Sequence, residues 1–231
     1  MMDTSSICSW LTEQLSNLPA FSFPFDLKLL PINGIYFFYE KGEASAHGDQ
    51  LPRIVRIGTH KDGNFRSRIA EHYLFDDRKM LFDQNRPAPH ERSIFRKNIG
   101  RVILNRSKDP YLDVWERDFV AKKSRQFYGH LRDLDKERQI ETQVTEILRK
   151  NFSFRYVAIE DQKLRLGADG LERHLIGTVA QCSVCGPSSN WLGQDSPDAR
   201  IRSKGLWQVQ HLNAPPLSED ARSILATKFC R

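Results

Sequence analysis

Two short runs in the first quarter of the chain constrain the fold most. Residues 34–39 are aromatic and β-branched, and residues 53–58 alternate Val55 and Ile57 with arginines. Short runs of this composition are typical of β-strands. The polar, glycine-bearing connection over residues 41–52 predicts that the two strands form an antiparallel pair.

A helix is predicted over residues 65–73, directly after the second strand. Phe65, Ile69 and Tyr73 are spaced by four residues and form one apolar stripe that can dock on the strands. Arg68 and His72 lie one turn apart and border this stripe. Together they can hold one anion, the arginine through its fork and the histidine as a donor or proton carrier. A surface arginine beside a satisfied core histidine is the alternative interpretation.

The remaining pattern predicts an α+β protein with a long helical segment in its middle. The 231 residues are 39% hydrophobic and 28% charged, a globular composition that can support a main domain with an insertion. Helices are predicted near residues 5–18, 65–73, 92–104, 132–148, 164–180 and 218–229, and strands at 34–39, 53–58, 152–159 and 206–212.

The charge balance favours a polyanionic partner. Lys and Arg number 35 against 29 Asp and Glu, which gives +6 and a pI near 9.2. On the predicted helix over residues 92–104, Lys97 and Arg101 lie opposite the apolar face. They can contact DNA phosphates or form an ordinary solvated face.

The N-terminal region and the cysteines bear on location and metals. Residues 1–25 hold no signal peptide or membrane span, so a cytoplasmic protein is expected. Four cysteines are too few for a secreted disulfide scaffold in a chain of this length. Cys182 and Cys185 have the spacing of half a zinc site, which only His174 or His211 is expected to complete.

Glu172 is an unexpected residue on an apolar helix face. The predicted helix over residues 164–180 places it within a stripe that includes Leu175 and Ile176. Burial of a carboxylate there costs several kcal/mol unless a cation compensates it. The compensating group is either an arginine or lysine, or a divalent metal such as Mg²⁺.

Taken in order, these residues resemble the successive motifs of the GIY-YIG nuclease superfamily. The motifs are Gly34-Ile35-Tyr36, Arg56-Ile57-Gly58, Arg68 with His72, Glu172 and Asn190, and they extend over residues 34–193. The resemblance implies a small, mostly antiparallel sheet of three strands flanked by helices. It also implies cleavage of DNA phosphodiesters with one divalent metal, Mg²⁺ or Mn²⁺.

The resemblance also implies roles for individual residues. Tyr36 would lie next to the attacking water as general base or as a relay to it, and His72 would assist proton transfer. Arg68 would hold the scissile phosphate, Glu172 would be the protein ligand of the metal, and Asn190 would steady the site. Cleavage needs these elements: an activated water, stabilised charge on the phosphate oxygens, and a cation near the leaving oxygen.

The second motif departs from the family, because Arg56 stands where tyrosine is usual. Arginine stays protonated and cannot be a general base, but it can donate to Tyr36 or to phosphate. A phenol with its ordinary pKa near 10 needs such cationic neighbours to act as a base. His60, two residues after Gly58, is an alternative base.

On this basis the chain divides into five parts: an N-terminal helical segment (1–33), the first half of the nuclease domain (34–80), a helical insertion for DNA positioning (81–150), the second half with the metal-ligand helix (151–195), and a C-terminal strand and helix (196–231). The predicted function is a DNA endonuclease of restriction or defence type. A DNA repair or recombination nuclease and an inactive nucleic-acid-binding module are the alternatives. Two copies would allow both DNA strands to be cut.

Overall fold

A computed structural model describes residues 3–80 and 82–229. The strands are β1 (Phe21–Ser22), β2 (Gly34–Ala44), β3 (Pro52–Gly58) and β4 (Phe152–Ala158). The helices are α1 (Thr4–Ser16), α2 (Phe65–Tyr73), α3 (Pro89–Arg92), α4 (Ile94–Arg106), α5 (Leu112–Trp115), α6 (Lys122–Tyr128), α7 (Leu134–Asn151), α8 (Gln162–Arg165), α9 (Leu171–Ala180), α10 (Ala199–Lys204) and α11 (Glu219–Phe229). Short 3₁₀ helices occupy Leu27–Leu29, Asp77–Met80, Gly129–Leu131 and Leu192–Asp195.

The strands form one antiparallel sheet in the order β1-β4-β2-β3. The predicted α+β class with an antiparallel sheet is confirmed, but four strands, not three, pair within the described residues. The additional strand, β1, has two residues, and Phe21 pairs with Phe154 of β4. A two-residue strand carries no alternation that a sequence pattern can reveal.

The predicted C-terminal strand over residues 206–212 is wrong. This segment runs beside the edge strand β3 without forming a ladder: the Trp207 N–H donates to the Val55 carbonyl at 2.8 Å. One residue later, the Gln208 side-chain oxygen accepts from the Ile57 N–H at 2.9 Å. A side chain thus takes the place of the next backbone partner, and the edge of β3 is covered without a fifth strand.

The sheet is buried on both faces, because side chains of β2 alternate between two cores. Ile35 and Phe37 face a core shared with α1, α9 and α11, whereas Tyr36 and Phe38 face one shared with α2, α4 and α7. Alternation with a period of two places neighbouring residues on opposite faces. The aromatic run of the first motif therefore builds both cores at once.

The helix α2 spans the predicted residues, but the predicted helix over residues 164–180 is broken in two. α8 ends at Arg165 and α9 begins at Leu171. Between them, Gly167 adopts a φ of +102°, a conformation that ends a helix and that glycine accepts without strain. Glu172 consequently lies in the first turn of α9.

A buried charged cluster joins α3, α4 and α7. Arg96 of α4 donates through Nε to Glu141 Oε2 at 3.0 Å, and His90 Nδ1 lies 3.0 Å from Glu141 Oε1. Burial alone would raise the pKa of Glu141, but Arg96 and His90 lower it to about 2. The cluster thus holds an ionised carboxylate between α3, α4 and α7.

No helix in the described ranges is both long enough and apolar enough to cross a membrane.

Candidate functional site

The site begins with the packing of a phenol on a glycine. Tyr36 of β2 pairs with Gly58 of β3, and its ring lies over that glycine with only 1% of the residue exposed. A Cβ at position 58 would lie 2.5 Å from Tyr36 Cζ and 2.7 Å from Cε2, well inside ordinary van der Waals contact. The glycine of the second motif is therefore required by the tyrosine of the first.

The Tyr36 hydroxyl forms a hydrogen-bonded chain with two buried residues. His72 Nε2 lies 3.1 Å from Tyr36 Oη, and His72 Nδ1 lies 2.8 Å from the Ser93 hydroxyl. Burial lowers the pKa of His72 well below its ordinary value, and the charges of Arg68 and Arg56 lower it further. The imidazole is therefore neutral at physiological pH.

Arg56 lies in the same core and is engaged by the C-terminal segment. Its Nη1 donates to the Trp207 carbonyl at 2.6 Å, and its guanidinium lies 5.1 Å from the centre of the Phe95 ring. Burial lowers the pKa of Arg56, and the neighbouring Tyr36 opposes this shift. No partner within the described residues satisfies the buried Arg56 Nε.

Glu172 meets the end of β3 from the other core. Its Oε1 accepts from the Thr59 N–H at 3.0 Å. Burial raises the pKa of Glu172, while the Thr59 hydrogen bond and the charges of Arg56 and Arg165 oppose the rise. The carboxylate that the sequence placed on an apolar face is thus half-buried, with arginine charges as compensation.

A cleft of about 400 Å³ brings Glu172 and Arg56 to one surface. Ile94, Gln208 and His211 are among the other residues that line it. Of these, only Glu172 and Arg56 were expected from the sequence. Gln208 and His211 belong to the irregular segment that was predicted as a strand; His211 was considered only as a zinc partner, and no motif distinguished Gln208.

Arg68 and His60 stand beside this group. Arg68 Nη1 donates to Glu71 Oε2 at 3.0 Å and to the Arg92 carbonyl, and 16% of its side chain is exposed. Its charge acts on His60, whose pKa is lowered first by desolvation and then by Arg68. Unlike Tyr36, His60 is exposed.

Arg165 is a site residue that the sequence did not reveal. This buried guanidinium donates through Nη1 to Thr59 Oγ1 at 3.0 Å and to the His60 carbonyl at 2.5 Å, and it forms an ion pair with Asp62. The Thr59 hydroxyl in turn donates to the Gly34 carbonyl at 2.6 Å. Arg165 therefore holds the loop after β3 against the start of β2.

Three of the predicted residues are not joined to this group. No hydrogen bond or ion pair among the described residues links the exposed Asn190 to it. Lys97 is buried, not solvated, and its Nζ donates to Glu91 at 3.1 Å. Arg101 forms a two-point ion pair with Glu116 at 2.7 and 2.6 Å. The DNA role of Lys97 and Arg101 stays a prediction, and both charges are already paired.

A second group of residues can hold a metal. The ligand atoms of Cys8, His47, Cys182 and Cys185 all lie within 4.8 Å of one another. The half-site expected from Cys182 and Cys185 is thus completed by partners other than those predicted. His174 instead contacts the Pro215 carbonyl through Nδ1 at 2.9 Å.

Comparison with known proteins gives one result. A family model of the GIY-YIG domain matches residues 11–224, which is most of the chain. Neither a curated protein nor a solved structure matches.

Proposed function

The chain belongs to the GIY-YIG domain family, and from that premise we propose that it is a divalent-metal-dependent endonuclease that hydrolyses DNA phosphodiester bonds. The observation that carries the proposal is the meeting of Glu172 and Arg56 at one cleft, with Tyr36 and His72 beside Arg56. A carboxylate that can hold a metal, a guanidinium and a phenol–imidazole pair can supply the charge stabilisation and water activation that phosphodiester hydrolysis needs.

The proton path that we propose runs from Tyr36 to His72. The Ser93 hydroxyl caps α4 by accepting from the Arg96 N–H at 3.3 Å. If Nδ1 of the neutral His72 carries the proton, it donates a hydrogen bond to the Ser93 hydroxyl. Nε2 is then free to accept a hydrogen bond from the Tyr36 hydroxyl. Tyr36 can then take a proton from water as its own passes to His72.

The reaction balances with Tyr36 and His72 as carriers of the water proton and solvent as the proton source for the leaving oxygen. The water oxygen bonds to phosphorus, and the ester bond to the leaving oxygen breaks. The water proton goes to Tyr36 as the Tyr36 proton passes to His72, the leaving oxygen takes a proton from solvent, and His72 then returns its proton to solvent. Both hydrogen bonds of Arg68 use Nη1, so its other nitrogens can donate to the phosphate oxygens.

Glu172 and its immediate surroundings fit a Mg²⁺ or Mn²⁺ ion. The carboxylate is a hard oxygen donor, one of its oxygens is fixed by Thr59, and the adjoining cleft of about 400 Å³ has room for metal-bound waters. When bound, the ion would supply charge stabilisation at the phosphate. Thr59 and Arg165 would keep the Glu172 carboxylate oriented.

His60 is a second candidate for the base, and its exposure favours it. The Tyr36 phenol is buried, whereas the His60 side chain is exposed and its lowered pKa leaves it neutral and able to accept a proton. The pH dependence of the cleavage rate in Tyr36→Phe and His60→Gln separates the two. The variant that lacks the base loses the low-pH limb of the profile, and the other variant keeps it.

The function is tested by cleavage of supercoiled plasmid with Mg²⁺, Mn²⁺ and no metal. We expect nicked product only with metal, and a large loss of rate in Glu172→Gln, which keeps the shape and the acceptor for Thr59 but removes the charge. Glu160→Gln is the matched control, because Glu160 is exposed and bonded to Asn33. Equal rates in the native chain and Glu172→Gln would overturn the proposal.

An inactive nucleic-acid-binding module is the second candidate, and Arg56 favours it. This residue replaces the tyrosine of the second motif, and its guanidinium is engaged by the Trp207 carbonyl. That candidate predicts salt-sensitive DNA binding with no cleavage under any divalent cation.

For the active form we propose a role in restriction or defence, with the helices of residues 81–150 as the segment that positions DNA.

A further inference from the structure

The strongest unassigned feature of the molecule is the Cys/His cluster, which three separate segments build. Cys8 lies on α1, His47 on the connection between β2 and β3, and Cys182 and Cys185 on the loop after α9. His47 Nε2 lies 3.2 Å from Cys182 Sγ. The three segments are separated by tens to more than a hundred residues, and the fold brings one ligand set from them together.

The spacing of these four atoms suits a tetrahedral ion. With a metal–sulfur distance of about 2.3 Å, the sulfur atoms of a tetrahedral zinc site stand about 3.8 Å apart. The four ligand atoms all lie within 4.8 Å of one another, so small side-chain movements would enclose an ion. Thiolates and imidazole select zinc over Mg²⁺ or Ca²⁺, which prefer oxygen ligands.

Hydroxyl groups lie near two of the sulfur atoms of the cluster. The Ser5 hydroxyl lies 3.8 Å from Cys182 Sγ, and the Ser45 hydroxyl lies 3.6 Å from Cys185 Sγ. Hydroxyl groups at these positions can serve as outer hydrogen-bond partners of metal-bound thiolates.

We propose that Cys8, His47, Cys182 and Cys185 form a structural Cys₃His zinc site. Four protein ligands leave no open position, which is the pattern of structural and not catalytic zinc. The ion would fasten α1 and the β2–β3 connection to the end of α9. Glu172 begins the same helix, about 15 Å away along its axis, so the two sites are separate.

The proposal is independent of nuclease activity, and its readout is metal content. The full chain is purified under reducing conditions, incubated with zinc and dialysed. Its zinc content is then measured by inductively coupled plasma mass spectrometry. We expect about one ion per chain. Replacement by Co²⁺ should give the intense visible absorption of a tetrahedral ion and a thiolate-to-cobalt charge-transfer band.

Two pairs of variants make the test specific. Cys185→Ser and His47→Ala should lose the bound zinc, whereas Cys230→Ser and His174→Gln should keep it. Cys230 lies outside the described residues, and His174 is one of the two partners, with His211, that were expected from the sequence. A chelator should lower the melting temperature of the native chain and leave that of a folded Cys185→Ser chain unchanged.

Three results would overturn the proposal. The first is a native chain that retains no zinc after dialysis, and the second is full zinc content in both ligand variants. The third is a disulfide between Cys182 and Cys185 in the purified native chain without bound zinc, which would make the pair a redox site. If Cys185→Ser does not fold, the Co²⁺ spectrum of the native chain and the His47→Ala metal content still decide the question.

Discussion

Replacement of Gly58 by alanine tests the physical basis of the second motif. The added Cβ would lie 2.5 Å from Tyr36 Cζ, so the ring must move by about 1 Å to restore ordinary contact. Overpacking of this kind costs about 1–3 kcal/mol. The shift also breaks the Tyr36–His72 hydrogen bond, which contributes about 0.5–1.5 kcal/mol. The free energy of unfolding should therefore fall by about 2–4 kcal/mol.

The assay is urea unfolding followed by tryptophan fluorescence, together with the melting temperature. For a chain of this size, the loss corresponds to a decrease of roughly 4–16 °C in melting temperature. Gly129→Ala is the matched control, because Gly129 has a helical φ of −58° and, among the described residues beyond its own stretch of chain, no atom lies within 4 Å of its added Cβ. The control should be neutral or slightly stabilising. A Gly58→Ala chain as stable as the control would refute the role given to this contact.

Two further predictions concern pH. Burial raises the pKa of Glu40 to about 7, although the indoles of Trp191 and Trp207 donate hydrogen bonds to its carboxylate. The contribution of Glu40 to stability is therefore fully present below pH 4.5 and is lost as the pH rises through 7. Glu40→Gln keeps an acceptor for both indoles. Between pH 4.5 and pH 8, the free energy of unfolding of this variant, measured in urea, should rise by roughly 3 kcal/mol relative to that of the native chain. A difference between the two chains that does not change with pH would count against this prediction. The pH dependence for Glu141 has the opposite sign, because its pKa is lowered to about 2. The stabilisation by Glu141 is present above pH 4.5 and is lost as the pH falls toward 2, so the stability of Glu141→Gln should depend less steeply on pH in acid. At pH 7, Glu141→Gln should be destabilised by about 3–5 kcal/mol relative to the native chain. Identical acid profiles would contradict that assignment.

Local patterns predicted the parts of the fold in which neighbours in sequence are neighbours in space. The strand pair, α2 with its bounds, and the helices α4 and α7 follow from periodicity within each segment. β1 has too few residues to show a period. Residues 206–212 have strand composition, but Gln208 uses its side chain where a strand would use its backbone.

The site was accessible to sequence reasoning only where ordered motifs mark it. The structure joins Tyr36 to His72 through a hydrogen bond and places Arg56 and Glu172 at one cleft, while the catalytic roles of these residues stay predictions. Arg165 was not found, because its partners lie about a hundred residues away and leave no local signal.

The metal cluster shows the same limit. Cys182 and Cys185 have a recognisable spacing, but Cys8 and His47 have none. They become ligands only because α1 and the β2–β3 connection fold onto the loop after α9. Conversely, Lys97 was expected on a solvated face, yet it is buried against Glu91, since α3 and the residues after α5 cover that side of α4.

The most direct test of the central claim is the rate of plasmid nicking at saturating Mg²⁺ by the native chain and by Glu172→Gln. The claim is that Glu172, at the end of β3 and beside Arg56, supports metal-dependent hydrolysis. We expect metal-dependent nicking by the native chain and a loss of about 100-fold or more in the variant, the scale expected when charge stabilisation is removed from a transition state. Nicking at the same rate by both chains would contradict the claim.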